Sequence, residues 1–395
     1  MKNKVTLLIL MLSLGVFGII TTEMGIVGVL PQITEKFHVS AGQAGLLVSV
    51  FALVVAVSGP FATLLASGVN RKAMLSLAVL MFAVSNVCYV LTSRFEVLMA
   101  FRIIPAIFHP VFFSIALVTA SQLVSPEKSG QAVTKVFAGI TVGFAFGVPL
   151  TSYLAEQISL DTAFWFAAAV NTIAFVGILA LMPSMPVQGK MSYAKQLGVL
   201  RKPALWLNIA AVCSIFAAMF SVYSYFAEYL GQVTRMNGTW ISAMLLAFGV
   251  IMIGGNFLFG GLLQKNMRKT VAFFPVLYLA LYLLVYVFGA SFIPMLPIVF
   301  LWGIVHSGGL IVSQTWLMSE VEEAPEFGNS LFVSFSNLGI TLGSSLGGWV
   351  ISRFGIHQLI WSGLLFAALA FGLIVVKMSV FGTSRNASAA SFDNL

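Results

Sequence analysis

Four side chains able to hold or pass a proton stand inside long apolar runs. They are Glu23 in "GIITTEMGIVGVLPQI", Arg102 and His109 in "LMAFRIIPAIFHPVFF", and His306 in a later run. A charge at mid-bilayer costs at least about 2.5–3.5 kcal/mol, so such residues normally face a cavity or a partner. A carboxylate there can take up and release a proton. A neutral imidazole donates one hydrogen bond, accepts another and titrates near neutrality. At 1.5 Å per residue, His109 lies about 18 Å and His306 about 20 Å into their runs. Both are therefore expected near the midplane, in contact with substrate rather than in proton transfer. "SVYSYFAEYL" adds Tyr223 and Tyr225, polar tips on apolar bodies suited to orienting a small hydroxylated or aromatic ligand. Gln314 and Trp316 are expected toward the inner end of the same cavity.

The elements that must carry these groups follow from composition. The chain has 395 residues, 59% hydrophobic and 8% charged, with a mean hydropathy of +1.02. A soluble domain carries roughly 25% charged residues, so this is an integral membrane protein. Twelve runs approach the about 20 apolar residues that a spanning helix needs. They cover 5–30, 43–67, 73–92, 97–124, 132–154, 163–183, 205–230, 240–264, 271–289, 293–317, 330–352 and 359–380. The N-terminus has the charged start of a secretory signal, but its apolar run continues to Leu30 with no small-residue cleavage site. It reads as a retained first span.

An even number of spans puts both termini on one side. Fourteen Lys and Arg fall in the segments on that side and four in the opposite loops. By the positive-inside rule both termini are cytoplasmic in a cell (inner) membrane. The net charge of +8 is spread over short loops, which sets orientation and excludes a nucleic-acid surface. Cys88 and Cys213 both lie inside apolar runs, so no structural disulfide is expected. Lys135, near the inner end of the fifth run, is expected to snorkel to the cytoplasm.

A basic, proline-containing connection (184–204) separates one six-span bundle (1–183) from another (205–380), and 381–395 form a cytoplasmic tail. The halves resemble each other. "NRKAM" and "MRKTV" align at an offset of 197, His109 and His306 share that offset, and "GITVGFAFG" recurs as "GITLGSSLG" at 200. Parallel six-span repeats are a plan of secondary transporters, with the substrate site at the midplane between the halves.

Three stretches carry a family likeness. "TLLASGVNRKAM" keeps Arg71 and Lys72 of the pattern G-x-L-x-D-R-x-G-R-K but has no Asp, and the second copy keeps Gly260, Leu262, Lys265, Arg268 and Lys269. "GITVGFAFGVPLTSYL" places Gly139, Gly143 and Gly147 on one helix face for close packing, followed by Pro149, which kinks a helix. The run around Arg102 has Ala106 where a Gly is usual. The sequence resembles the major facilitator superfamily over essentially its whole length. In particular it resembles the twelve-span drug:proton antiporter group and the arabinose/sugar-efflux-like branch.

The resemblance implies an all-α fold of two pseudo-symmetric six-helix bundles, with spans 1, 4, 7 and 10 lining a central cavity. It brings Glu23 and Arg102 together as proton-coupling partners. The fifth-span signature implies exchange, hence export. Arg71, Lys72, Arg268 and Lys269 are implied to form a cytoplasmic gate against Glu127 and the acids of "SEVEEAPE", namely Glu320, Glu322, Glu323 and Glu326.

The expected function is proton-coupled export of a small neutral or moderately apolar solute (a sugar, nucleoside or drug) by alternating access. Few ionisable groups interrupt the spans, which suits uncharged cargo better than multiply charged metabolites. Proton symport for uptake on the same fold is the first alternative. A membrane-embedded enzyme is the second, but no H-E-x-x-H, Gly-rich phosphate loop or Ser/His/Asp cluster supports it. A channel lacks a repeated filter or charged ring. No cofactor or metal is expected, the proton gradient being the energy source. The partners are solute, protons and lipid, and a monomer suffices because both halves are in one chain.

Overall fold

A computed structural model describes residues 2–39, 41–186 and 193–390, and every regular element among them is helical. The first half comprises α1 (Lys2–Gly25), the short α2 (Leu30–Phe37), α3 (Ala41–Ala66), α4 (Arg71–Leu91) and α5 (Phe95–Gln122). It continues with α6 (Pro126–Val142), α7 (Val148–Gln157) and α8 (Leu160–Leu181). After α9 (Tyr193–Gly198) in the connection come α10 (Pro203–Tyr223), α11 (Phe226–Gln232) and α12 (Gly238–Phe288). The chain closes with α13 (Phe292–Met318), α14 (Pro325–Phe354) and α15 (Ile360–Ala390).

Ten helical stretches among the described residues are long and apolar enough to span a membrane. One of them, α12, has 51 residues, a helical path of about 76 Å at 1.5 Å per residue and enough for two crossings. It turns at Asn266, whose backbone leaves the helical region (φ −160°, ψ 91°). The polar α14 has 30 residues and completes twelve. It carries Asn329, Ser330, Ser334, Ser336 and Asn337, which lowers its apolarity.

Several boundaries differ from the apolar runs for local reasons. The first run breaks at Gly25 into a 3₁₀ turn, Ile26–Val29, before α2. Pro31, in the first turn of α2, has no N–H to continue the α1 ladder. The seventh run breaks between Tyr223 and Phe226. The fifth holds a π-helical turn, Gly143–Gly147, ending two residues before Pro149. A proline ring clashes with the carbonyl four residues back, here that of Ala145, and the wider turn relieves it. The expected tail continues α15 as far as Ala390, and 391–395 lie outside the described residues. So do 187–192 of the connection.

The glycine stripes explain how each bundle is clamped. A Cβ on Gly139 would come within 2.5 Å of the Ser13 carbonyl oxygen, and one on Gly143 would meet Ile20. In the second half Gly339 packs on the Cys213 carbonyl, Gly343 on the main chain of Ala217, and Gly347 on the Ser221 carbonyl. Ser13 and Cys213 are themselves 200 positions apart, as are the glycines that touch them. Lacking side chains there, α6 and α14 lie directly on the first helix of their own bundle. Gly343→Ala is expected to lower stability by about 1–3 kcal/mol, because a main chain cannot move aside. Gly147→Ala meets the side chains of Thr21 and Phe17 but no main chain, and should cost less. Thermal unfolding in detergent distinguishes the two.

The halves meet along two lines. At the end carrying the termini, α14 packs along α3 and against α5. A Cβ on Gly59 would overlap the Ser334 hydroxyl there. Nearer the middle, the π turn of the fifth span lies on α12, where Gly249 lets the Ala145 main chain approach.

Candidate transport cavity

A cavity of about 60 Å³ lies between the halves. That holds a few waters but not a molecule the size of a sugar ring. Glu23, His109, Phe113, Ile140 and Phe144 line it from the first half. Phe216, Phe220, Phe332, Ser336 and Asn337 line it from the second.

Glu23 is 3% exposed, and its Oε2 stands 3.7 Å from His109 Nδ1 with no hydrogen-bond partner. The imidazole is held edge-on by Phe113, with ring centroids 4.7 Å apart, and flanked by Phe51 at 6.0 Å. This acid–imidazole pair is the ionisable feature of a wall otherwise built from phenyl rings, aliphatic side chains, Ser336 and Asn337.

Arg102 does reach Glu23, but by a different atom from the carboxylate. Its guanidinium donates to the main-chain oxygens of Thr22 (2.6 Å), Glu23 (2.5 Å) and Leu47 (3.0 Å). The break at Gly25 explains the first two bonds, because the last carbonyls of a helix lack intrahelical partners. A cation at a helix C-terminus also suits the helix dipole. The Phe51 ring covers the guanidinium carbon at 4.3 Å. Arg102 therefore fixes the backbone that aims Glu23, and the side chain facing the carboxylate is that of His109.

Three polar residues that the sequence reading passed over support this arrangement. Thr22 Oγ1 accepts from Asn86 (2.9 Å) and Asn171 (3.2 Å), tying α1 to α4 and α8. Asparagines inside apolar spans were the available signal, since buried amides in membranes bond across helices.

The other expected cavity residues lie elsewhere. His306 is fully buried in the second bundle, its Nδ1 3.0 Å from the Tyr278 hydroxyl. Tyr223 stacks on Phe248 and packs against His306. The Tyr225 hydroxyl donates to Ser344 O at 2.9 Å, and Gln314 Nε2 bonds Asn329 Oδ1 at 3.3 Å. Trp316 is buried beneath Lys377, whose Nζ sits 4.3 Å from its ring. His306 stands midway along α13, but its azimuth turns it into the bundle.

At the terminus-bearing end, Arg71 Nη2 bonds Glu326 Oε1 across the halves at 2.6 Å, and Arg71 Nη1 also donates to Gln122. Burial pushes the Glu326 carboxyl above the usual carboxylate range, while Arg71 draws it down. Glu323 pairs within its own half, with Lys202 at 2.5 Å. That hydrogen bond holds the Glu323 carboxyl below the usual range. The contact therefore stabilises at ordinary pH and is lost as pH falls through the depressed value. Glu127 is exposed, Lys72 N is capped by the Asn70 side chain, and Lys269 N by that of Asn266. Arg268 carries an interaction of its own. Arg71 and Glu326 thus form a cross-half contact among these charges. Glu326→Gln should weaken closure at this end by about 1–2 kcal/mol, a five- to thirtyfold change in population. Spin-label distances between the ends of α3 and α14 would read it as a larger open fraction.

The Major Facilitator Superfamily model matches residues 12–327. The chain belongs to that superfamily. This facilitator-family chain is 30% identical to the Escherichia coli (strain K12) inner membrane transport protein YdhP, over 95% of this chain and 96% of that one. It is 27% identical to a Helicobacter pylori (strain G27) protein described as a probable sugar efflux transporter, with 91% and 92% covered. In fold it is similar to a bacterial homologue of the human lysosomal transporter Spinster, solved inward-facing and unoccupied. That match has a TM-score of 0.75 at 17% identity and covers 97% of this chain and 98% of the other. The human organic anion transporter MFSD10 gives a TM-score of 0.68 at 16% identity, with 94% and 99% covered. The protein is a multi-pass membrane transporter, not an enzyme.

Proposed function

We propose that this facilitator-family transporter exports a small neutral or moderately apolar solute in exchange for protons, with both termini in the cytoplasm. The observation that carries the proposal is the Glu23 carboxylate on the cavity wall, its Oε2 unbonded and facing His109. Protonation there changes the charge of a cavity otherwise walled by uncharged side chains, mostly phenyl and aliphatic. A proton-loaded cavity is neutral and can close over lipid-like surroundings. A deprotonated one keeps a desolvated charge that favours reopening to water. Solute and proton that compete for this state are exchanged. The likeness to a probable sugar efflux transporter supports the outward direction. The fifth-span glycines and Pro149 support it as well. The proton gradient supplies the energy, and a single chain supplies both halves.

The test uses everted membrane vesicles energised to an acidic interior and a pH-sensitive dye. Arabinose, a purine nucleoside, chloramphenicol and a lipophilic cation are added in turn. Proton release on adding a neutral compound is the expected result. A response to the cation alone would contradict the neutral-solute class, and proton movement in the opposite sense would indicate uptake by symport.

A further inference from the structure

The two halves place equivalent residues unequally. Positions 200 apart in the first and fifth helices of each half, Ile20 with Phe220 and Ile140 with Ile340, line the cavity from both sides. So do Phe113 and Leu310, 197 apart. Glu23 and His109 also line it, yet their equivalents Tyr223 and His306 do not. Phe51 beside His109 likewise corresponds to Phe248 beside His306. The second half therefore holds a copy of the same constellation, with a tyrosine in place of the acid, set back from the cavity.

What covers it comes from the other half. Phe144, carried on the π turn, lies 5.9 Å from Tyr223, 6.5 Å from Phe220 and 6.4 Å from His306, ring to ring. The residue 200 positions on is Ser344, which has no ring to cover the first half in return. Behind Phe144, His306 Nε2 is buried without a hydrogen-bond partner, while Nδ1 faces Tyr278. An unsatisfied buried polar atom is costly and uncommon. Tyr223, Phe220 and Phe248 surround the imidazole with ring faces, at 4.7, 5.5 and 5.3 Å.

We propose that the second half carries a latent ligand subsite centred on His306 Nε2, capped here by Phe144, which takes a neutral hydroxylated ring when the halves separate. A hydroxyl can donate or accept, so it satisfies Nε2 in either tautomer of the His306–Tyr278 pair. The aromatic faces bury the apolar side of the ring. The cavity alone is too small for such a ring, and withdrawing Phe144 would extend it toward His306. The proposal rests on the central cavity being the solute path.

Carbethoxylation by diethyl pyrocarbonate tests it on the purified full chain, with labelled histidines read by peptide mass spectrometry. His109, which lines the cavity, is the internal reference. In the wild type His306 should label more slowly than His109. In Phe144→Ala its rate should rise roughly tenfold relative to His109, since a ring-packed cap is lost. Gly249→Ala provides a second route, because the new methyl pushes the Ala145 main chain away and lifts Phe144 without deleting it. Adenosine or arabinose should slow His306 labelling in the variants. Equal His306 rates in wild type and both variants would overturn the cap. Faster labelling that neither compound slows would overturn the ligand class. No transport step enters this readout, so normal exchange beside unchanged labelling removes the subsite alone. Labelling as expected beside absent proton exchange removes the proposed function alone.

Discussion

Glu23→Gln is expected to abolish concentrative transport while leaving a folded protein. Glutamine keeps the size of the side chain and loses only its titration. The three Arg102 bonds go to peptide carbonyls, so the backbone at Glu23 keeps its support. Melting temperature should therefore shift by the equivalent of less than about 1 kcal/mol. Uphill accumulation should fall by about tenfold or more, because no proton-dependent charge remains to bias one state over the other. Downhill exchange of labelled for unlabelled solute should persist, since it needs no net proton movement. Measured side by side in proteoliposomes, the two modes separate coupling from binding. Loss of both would make Glu23 a solute-binding group, and retention of both would move the coupling to another residue.

Arg102→Ala is expected to give the largest loss of stability among the site substitutions. Arg102 is 1% exposed, and its guanidinium holds α1 and α3 through three carbonyls. A hydrogen bond to a charged group contributes about 1.5–3 kcal/mol. Removing a buried charge returns part of that, leaving a net loss of about 3 kcal/mol. Against a total stability of about 5–15 kcal/mol, that is enough to reduce the folded yield markedly. Arg102→Lys keeps the charge but not the planar fork, and cannot reach three carbonyls at once. It should fall between alanine and wild type in thermal unfolding. If Arg102 acted only by pairing with the Glu23 carboxylate, lysine would serve nearly as well.

The sequence made the spans and the duplication legible because both are properties of apolar length and register. The glycine stripe is the clearest instance. An offset of 200 between Gly139 and Gly339 reappears in three dimensions as the same offset between the Ser13 and Cys213 carbonyls they touch. The charges inside the spans also stood out, since each is costly in lipid. Azimuth and acceptor atom were not legible. A helix turns 100° per residue, so a depth estimate for His306 fixes its height but not whether it faces the cavity or the bundle. Arg102 reaches main-chain oxygens, which every residue possesses. Only the break at Gly25, inside an apolar run that continues to Leu30, leaves those of Thr22 and Glu23 for Arg102. Tyr223 is hidden for a third reason. Its cover, Phe144, belongs to the opposite half, so its exposure depends on how the two bundles sit together.

The most direct measurement is proton release by purified protein in weakly buffered detergent when a transported solute binds. With the solute identified by the vesicle screen, wild-type protein should release about one proton per ligand bound as solute and proton displace each other. Glu23→Gln should bind the same solute and release none. Binding without release in the wild type, or undiminished release in Glu23→Gln, would contradict the account.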